Sequence, residues 1–176
     1  MKLNKFHTVL SVLISIISLH AFSATPNRPV VSLTDTQKVV GVERHGVNEY
    51  RGIPYGVAQR WASPKPAPAW QGMLDTENFG PACPQQARFG LTEGSNVEDC
   101  LSINVSTPKD IPSGQKLPVF IWIHGGAFVG GSSNLYRLDQ LARAGRLVVV
   151  SMNYRLGALG FMPNPAFAAN GRSEER

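Results

Sequence analysis

Several things that often decide what a protein does are scarce in this chain. Among its 176 residues there are two cysteines, Cys83 and Cys100, and four histidines, of which only His45 and His124 lie beyond residue 23. That inventory is too short of ligands for a zinc site, so no metal is expected. Lysine and arginine are scattered and never form a run, which excludes the dense basic stripe of a nucleic-acid binder. No Gly-Lys-Ser/Thr run is present, so a phosphate-cradling P-loop is absent. Ala127 and Phe128 stand where a dinucleotide fingerprint needs glycine. Neither nucleotide-binding motif is therefore expected.

The longest apolar run, residues 9–19, is broken only by serines and is too short to span a bilayer. Lys2 and Lys5 precede it, and Ala21, Phe22 and Ser23 follow it with a cleavage-compatible ending. This layout predicts a secretory signal over residues 1–23, a secreted or periplasmic mature chain, and no membrane partner after cleavage. Loss of that segment lowers the formal net charge from +5 to +3, because it carries two lysines and no acids. In an oxidising compartment two cysteines are expected to pair, closing a loop of about 17 residues worth roughly 3 kcal/mol on the chain-entropy model.

Residues 39–51 read as two strands around a turn at His45-Gly46, where glycine supplies positive φ and histidine is solvated. Six prolines placed among Trp61, Trp70 and Phe79 between 53 and 84 predict an irregular but packed segment. Residues 100–106 alternate apolar and polar, the period of a half-buried strand. Residues 117–123 and 147–153 are apolar runs of the kind that strands covered on both faces carry. Between them, Leu138, Leu141 and Ala142 have helical spacing, and Gly145 is the expected cap. The order predicts an α/β chain with a mixed sheet, antiparallel at its start and with a parallel βαβ unit at its centre. The polar stretch 171–176 is expected to fray.

Three motifs stand in order: Glu98-Asp99-Cys100-Leu101-Ser102-Ile103-Asn104-Val105, then His124-Gly125-Gly126-Ala127-Phe128, then Asn153-Tyr154-Arg155-Leu156-Gly157 leading to Gly160-Phe161. Together they resemble the type-B carboxylesterases over residues 39–170. The resemblance implies the N-terminal part of an α/β-hydrolase fold, over residues 24–176, with no metal or organic cofactor. It implies that Gly126 and Ala127 donate backbone N–H groups to an oxyanion, with Gly125 letting the loop turn and His124 bracing it. It also implies a Cys83–Cys100 disulfide, a pairing of Glu98 with Arg60, and a bracing role for residues 153–155. Asp99 is expected to join a structural polar network rather than act as an acid.

One further absence bears on the chemistry. In this fold the triad runs Ser, then Asp or Glu, then His, yet no Gly-x-Ser-x-Gly occurs and no histidine follows His124. The resemblance therefore implies an incomplete serine esterase, inactive as given, whose full-length relative hydrolyses small carboxylic esters through an acyl-serine intermediate. The alternative from a different class is a non-catalytic secreted module for binding or adhesion.

Overall fold

A computed structural model describes residues 28–87 and 94–162. The expected signal segment and the expected frayed tail lie outside the described residues. Among the described residues, no helix is long and apolar enough to cross a membrane.

The first elements among the described residues are β1 (Val30–Ser32), β2 (Gln37–Val40), β3 (Val42–Arg44) and β4 (Val47–Pro54). The β3–β4 turn places His45 at φ 53° and Gly46 at φ 79°, the double left-handed geometry that matches the twist of two-residue hairpins. Histidine as well as glycine thus adopts positive φ there. Next come β5 (Gly56–Val57), β6 (Lys65–Pro66) and β7 (Gly72–Asp75), in the stretch the prolines had marked as irregular. The correction is β7: it pairs in parallel with β2, so Leu74 lies opposite Val39. Arg28 locks this small sheet, reaching the Val40 and Gly41 carbonyls and gripping the Asp75 carboxylate at 2.7 and 2.8 Å. That guanidinium is the main reason Asp75 titrates at about 2.

The main sheet has the order β3-β4-β8-β10-β9, with β8 (Ser102–Pro108), β9 (Val119–Ile123) and β10 (Val148–Met152). Its pairs are antiparallel except the last, where β9 and β10 run parallel. Between them lie a 3₁₀ turn (Ser133–Leu135) and α1 (Leu138–Gly145); α2 (Gly157–Phe161) follows β10. The mixed sheet and the βαβ unit are those of an α/β fold, with the parallel pair standing at one edge among the described strands.

Helix α1 buries Ala142 completely against Val47 and Val149, with Leu138 and Leu147 at the margin. Its end differs from the expected cap. Gly145 is the last helical residue, and Arg146 takes the left-handed position at φ 48°, donating its N–H to the Ala142 carbonyl.

On β8 the alternation marks a strand, but the deeper face is the polar one. Ser102, Asn104 and Ser106 are buried, whereas Ile103 and Val105 pack at half depth against Val39, Tyr50 and Ile53. On this face the buried Ser102 hydroxyl has no hydrogen-bond partner among the described residues, whereas Asn104 is fully engaged. Asn104 donates to the Ser133 and Ser151 hydroxyls and accepts the Gly52 N–H. Buried polar atoms need such partners, because each one left unpaired costs about 1–3 kcal/mol.

Candidate active-site loop

Strand β9 carries the chain straight into residues 124–131, which close on themselves. The N–H groups of Val129 and Gly130 both reach the Gly126 carbonyl, at 3.1 and 3.2 Å. Three consecutive residues make the turn with positive φ: Gly126 at 131°, Ala127 at 54° and Phe128 at 62°. For Ala127 and Phe128 this conformation costs roughly 1–2 kcal/mol each, strain of the kind that persists at functional sites. The residue that sequence reasoning assigned to the turn, Gly125, has no positive φ and open space around its missing Cβ. Gly126 makes the tight approach instead, since a Cβ there would lie 1.7 Å from the Gly130 oxygen.

Among the described residues nothing accepts the backbone N–H of Gly126 or of Ala127. Both residues are exposed, on the rim of an open depression of ≈ 410 Å³ whose walls include Phe128, Met152, Tyr154 and Phe161. Adjacent free N–H groups beside an apolar wall can hold a developing negative charge on oxygen while sparing the rest of a substrate from water.

The loop entry is held by residues 153–155. The Tyr154 hydroxyl donates to the His124 carbonyl at 2.5 Å, and the two rings stack with centroids 4.4 Å apart. His124 is 3 % exposed, and its Nδ1 lies 2.9 Å from the Gly125 carbonyl. Burial pushes the His124 imidazole below its ordinary value of 6.5, the Gly125 carbonyl opposing this weakly. A neutral ring packed this way holds the loop by contact.

A pH dependence follows. Because the folded value is depressed, the unfolded chain binds the proton first as pH falls. The His124 contribution is fully present above about 6.5 and is lost as pH drops through its lowered folded value. Urea midpoints should therefore decline from pH 7.5 towards 5.5, and His124→Gln should flatten that slope. A wild-type midpoint constant over the range would contradict this account of His124.

The exit of the loop rests on Asn153, which is buried and accepts the N–H and the hydroxyl of Ser133 at 2.8 and 2.9 Å. Cys83 and Cys100 are bonded, with Cα atoms 5.0 Å apart, and pack with Leu101 and Leu156. Arg60 and Glu98 meet: Nε donates to Oε1 at 3.0 Å, and Nη2 contacts the same oxygen. The Arg60 hydrogen bond holds the Glu98 carboxyl below its ordinary range. The pair lies at the surface and away from the depression, and exposed pairs of this kind contribute little. Asp99 departs from expectation. It is exposed, and among the described residues no side-chain hydrogen bond reaches it, because the chain turns it outward one residue before the buried Cys100. Among the described residues no three His, Cys, Asp or Glu side chains gather as metal ligands would.

Known proteins resemble this chain in sequence and in fold. The family model described as the carboxylesterase family matches residues 28–171. The para-nitrobenzyl esterase of Bacillus subtilis (strain 168) is 42% identical over 144 residues, covering 76% of this chain and 29% of that protein. The fumonisin B1 esterase of Sphingopyxis macrogoltabida is 39% identical over 155 residues, covering 80% of this chain and 28% of that protein. A solved PNB esterase superposes with a TM-score of 0.72 at 40% identity, over 81% of this chain and 31% of that one. This chain thus spans less than a third of the length of the relatives it matches.

Proposed function

This chain belongs to the carboxylesterase family, and on that premise we propose that it supplies the oxyanion-binding part of a secreted serine esterase. In the reaction, a serine oxygen attacks the ester carbonyl carbon and the carbonyl oxygen takes up the electron pair. The N–H groups of Gly126 and Ala127 donate to that oxygen. Collapse expels the alcohol, which takes up the proton that the serine gave to a histidine base, and leaves an acyl-serine that water hydrolyses. Donors fixed in advance need no reorganisation when the charge appears, which is why they favour the transition state over the bound ester. The observation that carries this reading is the pair of N–H groups on the exposed residues Gly126 and Ala127, unpartnered among the described residues and held in a turn of positive φ.

The serine and its histidine base are not among the 176 residues in a recognisable motif, so the chain alone is proposed to be inactive. The substrate class is a small carboxylic ester whose acyl or alcohol group lies against Phe128, Tyr154 and Phe161. The partly apolar, partly basic start of the chain supports export.

The test is a graft in which residues 28–171 replace the matching stretch of the Bacillus para-nitrobenzyl esterase. We expect the graft to hydrolyse para-nitrophenyl acetate in a reaction that a fluorophosphonate abolishes, and the chain alone to stay at the background rate. Turnover by the chain alone, with one of its own serines labelled, would overturn the inactive reading. A graft that folds and does not turn over would overturn the oxyanion role and favour a binding module.

A further inference from the structure

Gln85 lies two residues past Cys83 and touches neither the depression nor any motif described above, yet it holds the neck of the loop. Its carboxamide makes two hydrogen bonds to a single backbone residue. Nε2 donates to the Gly131 carbonyl at 2.8 Å, and Oε1 accepts the Gly131 N–H at 2.7 Å. The second Nε2 hydrogen goes to the Cys83 carbonyl at 3.1 Å. The main chain of Gln85 is fixed as well, exchanging both of its hydrogen bonds with Ser95 at 2.9 Å. Both residues lie within the loop that the Cys83–Cys100 bond closes.

Gly131 is the place where such a grip has an effect. A Cβ on it would lie 2.5 Å from the Gly125 oxygen and 2.6 Å from His124 Nδ1, so its backbone is seated directly against the start of the loop. The loop entry is tied by Tyr154 and the stretch after the neck by Asn153. Among the described residues, Gln85 is the only side chain hydrogen-bonded to Gly131 itself. Gln85 and Gly131 together border an open space of ≈ 330 Å³ that Pro81, Ser95 and Leu135 also line, so the clasp is not walled in by packing on that side.

We propose that Gln85 is a positioning residue for the oxyanion loop: by clasping the Gly131 backbone it fixes residues 124–131 to the disulfide-closed segment. The proposal rests on the oxyanion reading of Gly126 and Ala127 and adds a residue that acts on them through Gly131.

The experiment is amide hydrogen exchange on the oxidised chain, read residue by residue, for the unaltered protein, Gln85→Met and Gln85→Glu. Methionine matches the length of glutamine without its hydrogen bonds, whereas glutamate keeps the acceptor and loses the donor. Two lost hydrogen bonds are expected to speed exchange at least about tenfold at Gly131 and at the hydrogen-bonded amides of Val129 and Gly130 in Gln85→Met, with β8 and β10 unchanged. Gln85→Glu should show a smaller, equally confined acceleration, and it decides the matter if Gln85→Met fails to fold. In the graft, Gln85→Met should lower kcat roughly ten- to a hundredfold at unchanged KM, since it displaces donors used only in the transition state. An unprotected Gly131 amide in the unaltered chain would overturn the proposal. So would unchanged loop rates in both variants, or release of β8 and β10 in step with the loop in both. Exchange reads the clasp whether or not an oxyanion binds, and the graft with Gln85 intact reads the oxyanion role, so the two failures are separable.

Discussion

Gly126→Ala in the graft should lower kcat roughly 10²–10³-fold and leave KM nearly unchanged, the loss expected when an oxyanion donor is misplaced. The added methyl would lie 1.7 Å from the Gly130 oxygen, and φ 131° is a conformation that an L side chain rarely adopts. The loop can accept alanine there only by opening, which re-aims the N–H groups of residues 126 and 127. Gly125→Ala is the internal control. Nothing lies within 4 Å of its ideal Cβ, so its kcat should stay close to that of the parent graft. Equal losses at both positions would mean that the motif matters through something other than loop geometry. No loss at residue 126 would remove the oxyanion role altogether.

Replacing both cysteines, Cys83→Ala with Cys100→Ala, should destabilise the chain by about 3 kcal/mol, the loop-closure entropy of a crosslink of this span. The separation of 17 residues sets that figure. The contacts set its reach, because both cysteines are buried against Leu101 and Leu156. Urea unfolding of the oxidised chain and of the double variant measures the difference as a shift of midpoint at similar slope. A shift worth under about 1 kcal/mol would mean that the denatured chain is already restricted in this region.

What could be read in the sequence follows from how far apart the cooperating residues lie. The β3–β4 hairpin needs only His45-Gly46 and its flanks, α1 declares itself by helical spacing, and β9 and β10 by their apolar runs, although β9 is largely exposed where cover on both faces was expected. The pairing of β7 with β2 was hidden, because Gly72-Met73-Leu74-Asp75 is short and its partner lies some 35 residues upstream. Residues 100–106 gave a strand but not the identity of its deeper face. An alternating pattern says which residues differ, and only the tertiary partners of Asn104 say which side is enclosed. At Gly145-Arg146 a local rule favoured glycine for the left-handed position. The chain places arginine there, and a Cβ on Gly145 would come within 2.8 Å of Leu147.

The loop was legible as a motif and illegible as a mechanism. His124-Gly125-Gly126 announced itself by composition, yet the division of labour between its glycines depends on the backbone returning at Gly130 and Gly131. Gln85 carried one signal, its place just after a cysteine, and a lone polar residue 46 positions from its partner has no periodicity to expose it.

Strand β9 also bears on the colloidal behaviour of the chain. Among the described residues it pairs on one side only, and Val119, Ile121 and Ile123 are each more than half exposed. Residues 119–123 contain no proline and no charge to interrupt the edge, and such an edge is a template for another strand. The same five residues that deliver the loop to its position thus favour attraction between molecules, and this attraction grows with concentration. The mild positive charge of the chain opposes it best at low ionic strength, so added salt should narrow the range of concentrations over which the chain stays dispersed.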